Sequence, residues 1–406
     1  MRRPGLFVLV AISAINPLSL NIVQPAIPGF AVTFATDYAT AQLTLTAYLL
    51  SFALSQLLHG SLSDRYGRRP VVLGGFVVFL IGTLACGFAN SIEELIASRV
   101  LQAAGGCAGF VLARAIVRDI HGQAKAASQL GYITTVMVVA PMLAPAMGGF
   151  LDAELGWRGI FAFLGLAGGV VLLIALSRLH ETRAPVAPGT GPGFIGAFGI
   201  LMRNRLFVAH SATLAATAAT FFSFLGGAPY VVVTLQGQPP STYGLYFIIG
   251  SFGYMVGNFI AGRTAERVGA LALIRYGTAL AVFGAVSMAA AQWMWPQSPL
   301  ALFLPMLPLS IAQGLTLPSV TASAVSVRPD LAGAAAGLSG AVQLGFSAFC
   351  AWTVAHLLDQ TSWPLVAVML ITTIGALIAG KVAHRFAESD PRGRARSEIS
   401  RTLPPQ

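Results

Sequence analysis

Six histidines, three cysteines and fourteen acids are the side chains of this 406-residue chain that could ligate a metal, attack a carbonyl or move a proton. Their spacing supports little of that chemistry. Cys86, Cys107 and Cys350 sit singly in apolar runs, and an odd count without framework spacing argues against disulfides or a metal site. There is no His/Asp/Glu cluster, no GxxxxGK[ST] phosphate loop and no serine–base arrangement. No catalytic residue, metal or cofactor is therefore expected, and an ATP-driven pump is disfavoured. Proton exchange inside an apolar site would suit a carboxylate, because desolvation brings its pKa toward neutrality. All the acids fall outside the long apolar runs, as with Asp37 and Asp64, and His59, His210 and His356 lie near run ends. What the runs do contain is Asn21, Gln24, Tyr48, Gln102, Tyr132, Phe222, Tyr254, Gln313 and Gln343, together with Arg99. Amides and aromatic rings can bind a mostly apolar molecule and orient it. Helix packing is the competing role for each ring, and an interhelical hydrogen bond of roughly 0.6 kcal/mol for each amide.

The elements that position these residues follow from composition. Hydrophobic residues make up 56% of the chain and charged residues 9%, against roughly 25% charged in a soluble domain. Runs such as Val71–Ala89 and Ile160–Leu176 are unbroken and apolar, near the ~20 residues a membrane helix needs. Barrel strands would alternate instead. Twelve spans are predicted, at 5–31, 41–60, 70–90, 94–116, 127–151, 157–178, 206–233, 242–263, 270–293, 299–326, 333–357 and 363–384. The first is read as a true span rather than a signal peptide, for want of a cleavage site. The fold class is thus an all-α membrane protein. It divides into a six-helix half over 1–178, a linker over 179–205, a second half over 206–385 and a disordered tail over 386–406. The linker carries Pro185, Pro188 and Pro192 with several glycines, which reads as flexible.

Charge orients the bundle. The basic residues of the loops alternate with span number: Arg65, Arg68 and Arg69 follow span 2, Arg118 and Lys125 span 4, Arg263 and Arg267 span 8, and Arg328 span 10. The opposite loops hold Asp37, Glu93, Glu94, Asp152, Glu154 and Asp359, with Arg158 beside them. The positive-inside rule places both termini and the linker in the cytoplasm. The net charge of +10 is thus spent in short loops, which argues against a nucleic-acid surface. The halves also echo each other. Gly60-x-x-x-Asp64-Arg65-x-Gly67 after span 2 returns as Gly262-x-x-x-Glu266-Arg267-x-Gly269 after span 8, 202 residues later. Duplicated six-helix halves are a transporter architecture with the substrate between them near the midplane.

The stretch Gly60-Ser61-Leu62-Ser63-Asp64-Arg65-Tyr66-Gly67-Arg68-Arg69-Pro70-Val71 closely resembles the span 2–3 signature of the major facilitator superfamily, and with the repeat the resemblance covers nearly the whole chain. Its glycines permit close approach and a tight turn, Asp64 can cap a helix or pair with an arginine, and the arginines suit an anionic leaflet. The resemblance implies a conformational latch built from Gly60, Asp64, Arg65, Gly67, Arg68 and Arg69, echoed by Glu266 and Arg267. Arg99-Val-Leu-Gln102 in span 4 resembles a second family motif whose arginine faces the cavity, while reaching out to the far interface is the other fate open to it. Gly131-x8-Ala140-x3-Ala144-Pro145-x2-Gly148-Gly149, with Pro141, follows the spacing of the exporter motif on span 5, with alanines at two glycine positions. Its small residues also suit a tight helix seam. Asn16-Pro17-x3-Asn21-x2-Gln24-Pro25 and Gly156-Trp157-Arg158-Gly159 are similar to the Bcr/CflA group of drug-resistance exporters, which commonly carry aspartate where this chain has Asn21. The resemblance implies alternating-access export of small amphipathic molecules by a monomer, driven by protons, in the inner membrane of a bacterium. The competing readings are an importer of a small metabolite on the same fold and a channel, which would need a continuous lining of filter residues.

Overall fold

The structure is a computed structural model that describes residues 5–182, 194–328 and 331–389; the side chains of 61, 64, 118, 121–142, 194, 195 and 389 lie outside the description. Every regular element among the described residues is a helix. The first span is α1 (Leu6–Ile22), a 3₁₀ turn at Gln24–Ala26 and α2 (Ile27–Thr33). Pro25 and Pro28 lack the backbone donors a continuous helix would use, so the ladder tightens and restarts there. α3 (Tyr38–Tyr66) is capped by Asp37, whose Oδ1 accepts from Thr40 N–H at 2.6 Å. α4 (Arg68–Phe88) follows after one residue. α5 (Ile92–Arg178) is helical throughout and opens on Ser91, which accepts from Glu94 N–H at 3.2 Å.

The chain reverses within α5 at Gly156, whose φ of +68° favours glycine. Just beyond it Arg158 donates to Ala89 O at 2.9 Å, and at the other end Arg69 donates to Leu176 O at 3.1 Å. The final stretch therefore runs back along α4. The second half is α7 (Arg205–Tyr230), α8 (Pro240–Val268), α9 (Ala270–Met294), α10 (Leu300–Ser326), α11 (Ala332–Leu357) and α12 (Trp363–Ser389). Eleven stretches among the described residues are long and apolar enough to cross a membrane. The expected span 127–151 falls largely on residues 121–142, where only the backbone is described; its side chains are described from Leu143 on. Large apolar side chains such as Leu54, Leu58, Leu84, Leu166, Phe283 and Ile371 stay exposed, as a surface solvated by lipid tails requires.

Packing follows the repeat. α1, α3 and α4 pack on α5, while α7, α8 and α9 pack on α10, α7 also on α11, and α12 on α7 and α9; the halves meet through α5 with α8 and α3 with α11. The stretch read as a flexible linker departs from that reading, because it holds a further helix, α6 (Phe194–Arg203). Ala197 and Leu201, one turn apart, are buried against Leu331 and Ala335 at the start of α11. That i, i+4 pair, not the proline content upstream, decides the local structure.

Candidate functional site

The two halves enclose a cavity of about 260 Å³. Its wall is built at helical spacing. α1 contributes Asn16, Pro17, Leu20 and Asn21; α8 contributes Phe247, Ser251 and Tyr254; α10 contributes Met306, Ser310, Gln313 and Leu317, each set on one helix face. Phe52, Phe110, Phe221, Phe222 and Phe303 add aromatic surface from both halves. Phe52 meets Phe110 edge-on at 5.1 Å, and Phe221 lies 5.5 Å from Phe222 and 6.2 Å from Phe247. No charged side chain is among the described residues that line the cavity, though Arg114 sits 4.7 Å from the centre of the lining Phe110 ring. Asn21 Nδ2 donates to Pro17 O at 2.9 Å, and its Oδ1 is buried without a partner. The side-chain nitrogen and oxygen of Asn16 are both in that condition. An apolar wall with sparse unspent amides binds a mostly apolar molecule and fixes its orientation through few polar contacts.

Of the residues singled out from sequence, Asn21, Phe222, Tyr254, Gln313 and Gln343 line this cavity. Gln24, Tyr48, Arg99 and Gln102 do not. Gln24 sits at the 3₁₀ turn, 1% exposed, with Nε2 donating to Leu20 O at 3.3 Å. The side chain of Tyr132 lies outside the described residues. Phe52, Phe110, Phe247, Ser251, Phe303 and Ser310 went unnamed in the sequence. Stepping by three and four residues from Tyr254 and Gln313 finds Ser251, Phe247 and Ser310; nothing local marks the phenylalanines, since rings on lipid-facing faces look the same.

Arg99 is 1% exposed and faces neither the cavity wall nor the far interface. Its Nη1 donates to Ser19 O and Oγ at 3.4 and 3.3 Å and to Gln102 Oε1, and its guanidinium lies 4.1 Å from the centre of the Tyr48 ring. Gln102 Nε2 passes the network to Thr83 Oγ1 at 2.8 Å. Small residues explain the enclosure: a Cβ at Gly105 would collide with Phe79 N of α4, and one at Gly82 would sit 2.5 Å from Gln102 N. The helices pack too closely there for a water-filled space, and the cation is held by neutral dipoles and a ring face.

At the basic end, Gly67 (φ +97°) and Gly269 (φ +81°) adopt the same conformation in the two copies of the repeat. Each ends a helix through an N–H bonded four residues back, to Ser63 O at 3.1 Å and Ala265 O at 3.0 Å. The copies differ in what surrounds them. In the first, Glu181 accepts the backbone N–H groups of Arg68 and Arg69 at 2.9 and 3.1 Å, an anion at the positive start of α4. A Cβ at Gly67 would lie 2.6 Å from that carboxylate, whereas one at Gly269 meets open space. Arg68 pairs with Asp119 at 3.0 Å and donates to Ser63 Oγ, and Arg69 Nε donates to Leu179 O at 2.8 Å. The Asp64 side chain is outside the described residues; Gly60, Arg65, Glu266 and Arg267 are part- or fully exposed. Glu181 was not legible, since 113 residues separate it from Arg68.

The far end is closed by contacts between the halves. Tyr38 Oη donates to Gly226 O at 2.9 Å and its ring lies 4.6 Å from that of Tyr230. Of the span-5 motif, Gly149 and Pro145 face α8: a Cβ at Gly149 would lie 2.9 Å from Pro240 O, and one at Gly244 2.5 Å from Pro145 O. Gly148 faces inward, against Ile22 O of α1, and the side chains at Gly131 and Pro141 are outside the described residues. Toward the basic end α3 meets α11, where a Cβ at Gly340 would lie 2.9 Å from Gln56 Oε1.

Two bundles of membrane helices around one uncharged cavity, with closely packed seams between them, define a membrane carrier. The chain belongs to the Major Facilitator Superfamily, whose family model matches residues 9–351. It is 30% identical over 377 residues to the chloramphenicol resistance protein of Pseudomonas aeruginosa, covering 89% of this chain and 86% of that one. It is 29% identical over 374 residues to multidrug resistance protein D of Escherichia coli, covering 92% and 93%. Its fold matches a bacterial homolog of the human lysosomal transporter Spinster, in inward-facing and occupied conformation, with a TM-score of 0.74 at 16% identity, over 96% and 97% of the two chains. The chain is a transporter of that superfamily, and its fold fits alternating access.

Proposed function

We propose that this transporter exports neutral small molecules with a large apolar or aromatic body, from a cytoplasm that holds both of its termini. The observation that carries this reading is the cavity wall: phenylalanines from both halves, a few amides and hydroxyls, and no charge among the described residues that line it. Cationic molecules would leave water for a site without a counter-ion, which is costly. The direction rests on the relatives, two of which are resistance proteins by name, and on the span-5 motif. The orientation rests on the basic loops. Asn21 stands on the cavity wall and cannot titrate, so proton coupling must draw on a group elsewhere in the chain. The basic-end contacts of Arg68, Asp119 and Glu181 hold the first half together as it moves, which is the role proposed for the latch.

Expression in an efflux-deficient bacterium tests the reading. Cells should accumulate less chloramphenicol, a neutral aromatic probe, and tolerate severalfold more of it, while ethidium, a permanently cationic aromatic, is handled as in the empty-vector control. Higher chloramphenicol accumulation would make the protein an importer, and equal export of ethidium would overturn the uncharged-site reading.

A further inference from the structure

A second, much smaller cavity of about 10 Å³ lies inside the second half, between α7, α9, α10 and α12. Thr217, Thr220, Thr278, Thr316, Thr373 and Gln313 supply its polar wall. Four of these hydroxyls donate to their own helices: Thr217 to Thr213 O at 2.8 Å, Thr278 to Ile274 O at 2.8 Å, Thr316 to Ala312 O at 2.8 Å and Thr373 to Met369 O at 2.9 Å. Thr220 is shared between Ala216 O at 3.2 Å and the hydroxyl of Thr372 at 2.9 Å. A hydroxyl whose proton is committed offers lone pairs only. The pocket is therefore a cluster of acceptors drawn from four helices. Facing them is one amide, Gln313, 4% exposed, whose Nε2 is buried and has no protein partner. Gln313 also lines the substrate cavity, so one side chain joins the two spaces.

We propose that this threonine pocket is the binding site of a single water molecule, which holds the Gln313 amide with its nitrogen inward and its oxygen toward the substrate cavity. The volume is that of about one probe sphere, the minimum for a water, and a buried water needs two to four polar partners. Donating to two threonine oxygens and accepting from Gln313 Nε2 gives it three. A metal cation would find oxygen ligands but no acid in the wall, and an uncompensated buried charge is strongly disfavoured. Gln313 then presents an acceptor to the substrate. Granted the cavity's reading as the transport site, molecules carrying an N–H or O–H donor on the face toward α10 are favoured over matched molecules lacking it. The amide's orientation thus comes from the second half's interior rather than from the cavity.

A double-mutant cycle on the purified full-length protein in detergent tests the site without any transport assay. Thr316→Val removes one acceptor and fills the pocket, so its thermal midpoint should drop by several degrees, because Gln313 Nε2 loses the bridge. In a Gln313→Leu background the same substitution should have little effect. Equal drops in both backgrounds would overturn the proposal, since Thr316 would then act independently of Gln313. Should Thr316→Val fail to fold, the cycle is run with Thr217→Val, to the same expectation. The wild-type midpoint should be the same in sodium chloride and choline chloride at equal ionic strength; a rise specific to sodium would assign the pocket to a cation instead. Because the readout is stability, a failed export assay would leave this result standing, and the converse also holds.

Discussion

Gly149→Val leaves the protein inserted and folded but strongly disfavours closure of its far end, and transport falls severalfold or more. A Cβ at Gly149 would lie 2.9 Å from Pro240 O and 3.0 Å from Ser241 Cα of α8, well inside van der Waals contact. Both atoms belong to the other half, and both are on the backbone, so neither can move aside cheaply. Overpacking costs ~1–3 kcal/mol, and here the cost falls on the closed arrangement alone. A bias of that size shifts a two-state equilibrium by roughly 5- to 150-fold. Gly244→Val acts on the same seam from the opposite side, where a Cβ would sit 2.5 Å from Pro145 O. A cysteine placed at Ser310 on the cavity wall reports the change. It should react faster with an impermeant maleimide added outside intact cells when Gly149→Val is present; an unaltered labelling rate would show that the seam does not control access. Gly148→Ala makes the contrast, because its Cβ collides with Ile22 O inside the first half and should lower thermal stability rather than change access.

Arg99→Met is expected to separate stability from transport. The guanidinium is enclosed by Ser19, Gln102 and the Tyr48 ring, and its Nε has no partner. An apolar side chain of similar length keeps the packing and removes a buried charge that has no counter-ion, whereas truncating a large buried side chain costs ~2–5 kcal/mol. The methionine variant should therefore melt at or above the wild-type temperature, and Arg99→Ala well below it. Transport should fall at least tenfold in both, on the order of 1.4 kcal/mol or more, because a costly intramembrane charge is retained for function. Full transport by the methionine variant would reduce Arg99 to a packing residue.

The legibility of the chain divides along physical lines. Composition and the Gly67/Gly269 repeat carried the architecture, since lipid and backbone geometry leave few alternatives for apolar runs and positive-φ glycines. Asn21 and Gln313 were legible as cavity residues because an amide in an apolar run needs a reason. Arg99 and Tyr48 were not, because nothing local tells a helix face that meets another helix from one that meets a cavity. That distinction depends on Gly82 and Gly105 drawing α4 and α5 together. Glu181 escaped notice for a related reason: it caps α4 from a distant part of the chain, and only tertiary structure joins them. The helix α6 was hidden by the prolines that precede it, although Ala197 and Leu201 stand one turn apart.

The central claim is that two halves rock about one uncharged cavity, so that opening at one end accompanies closing at the other. Pulsed electron-spin distance measurements on two doubly labelled proteins address it directly. One carries labels at Glu154 and Gln297, exposed at the far end of each half, and the other at Arg178 and Lys381, exposed at the basic end. On adding chloramphenicol, the two distance distributions should shift in opposite directions, with matching changes in population. Distances that widen together, or a far end that moves while the basic end stays fixed, would contradict the rocking of two rigid halves.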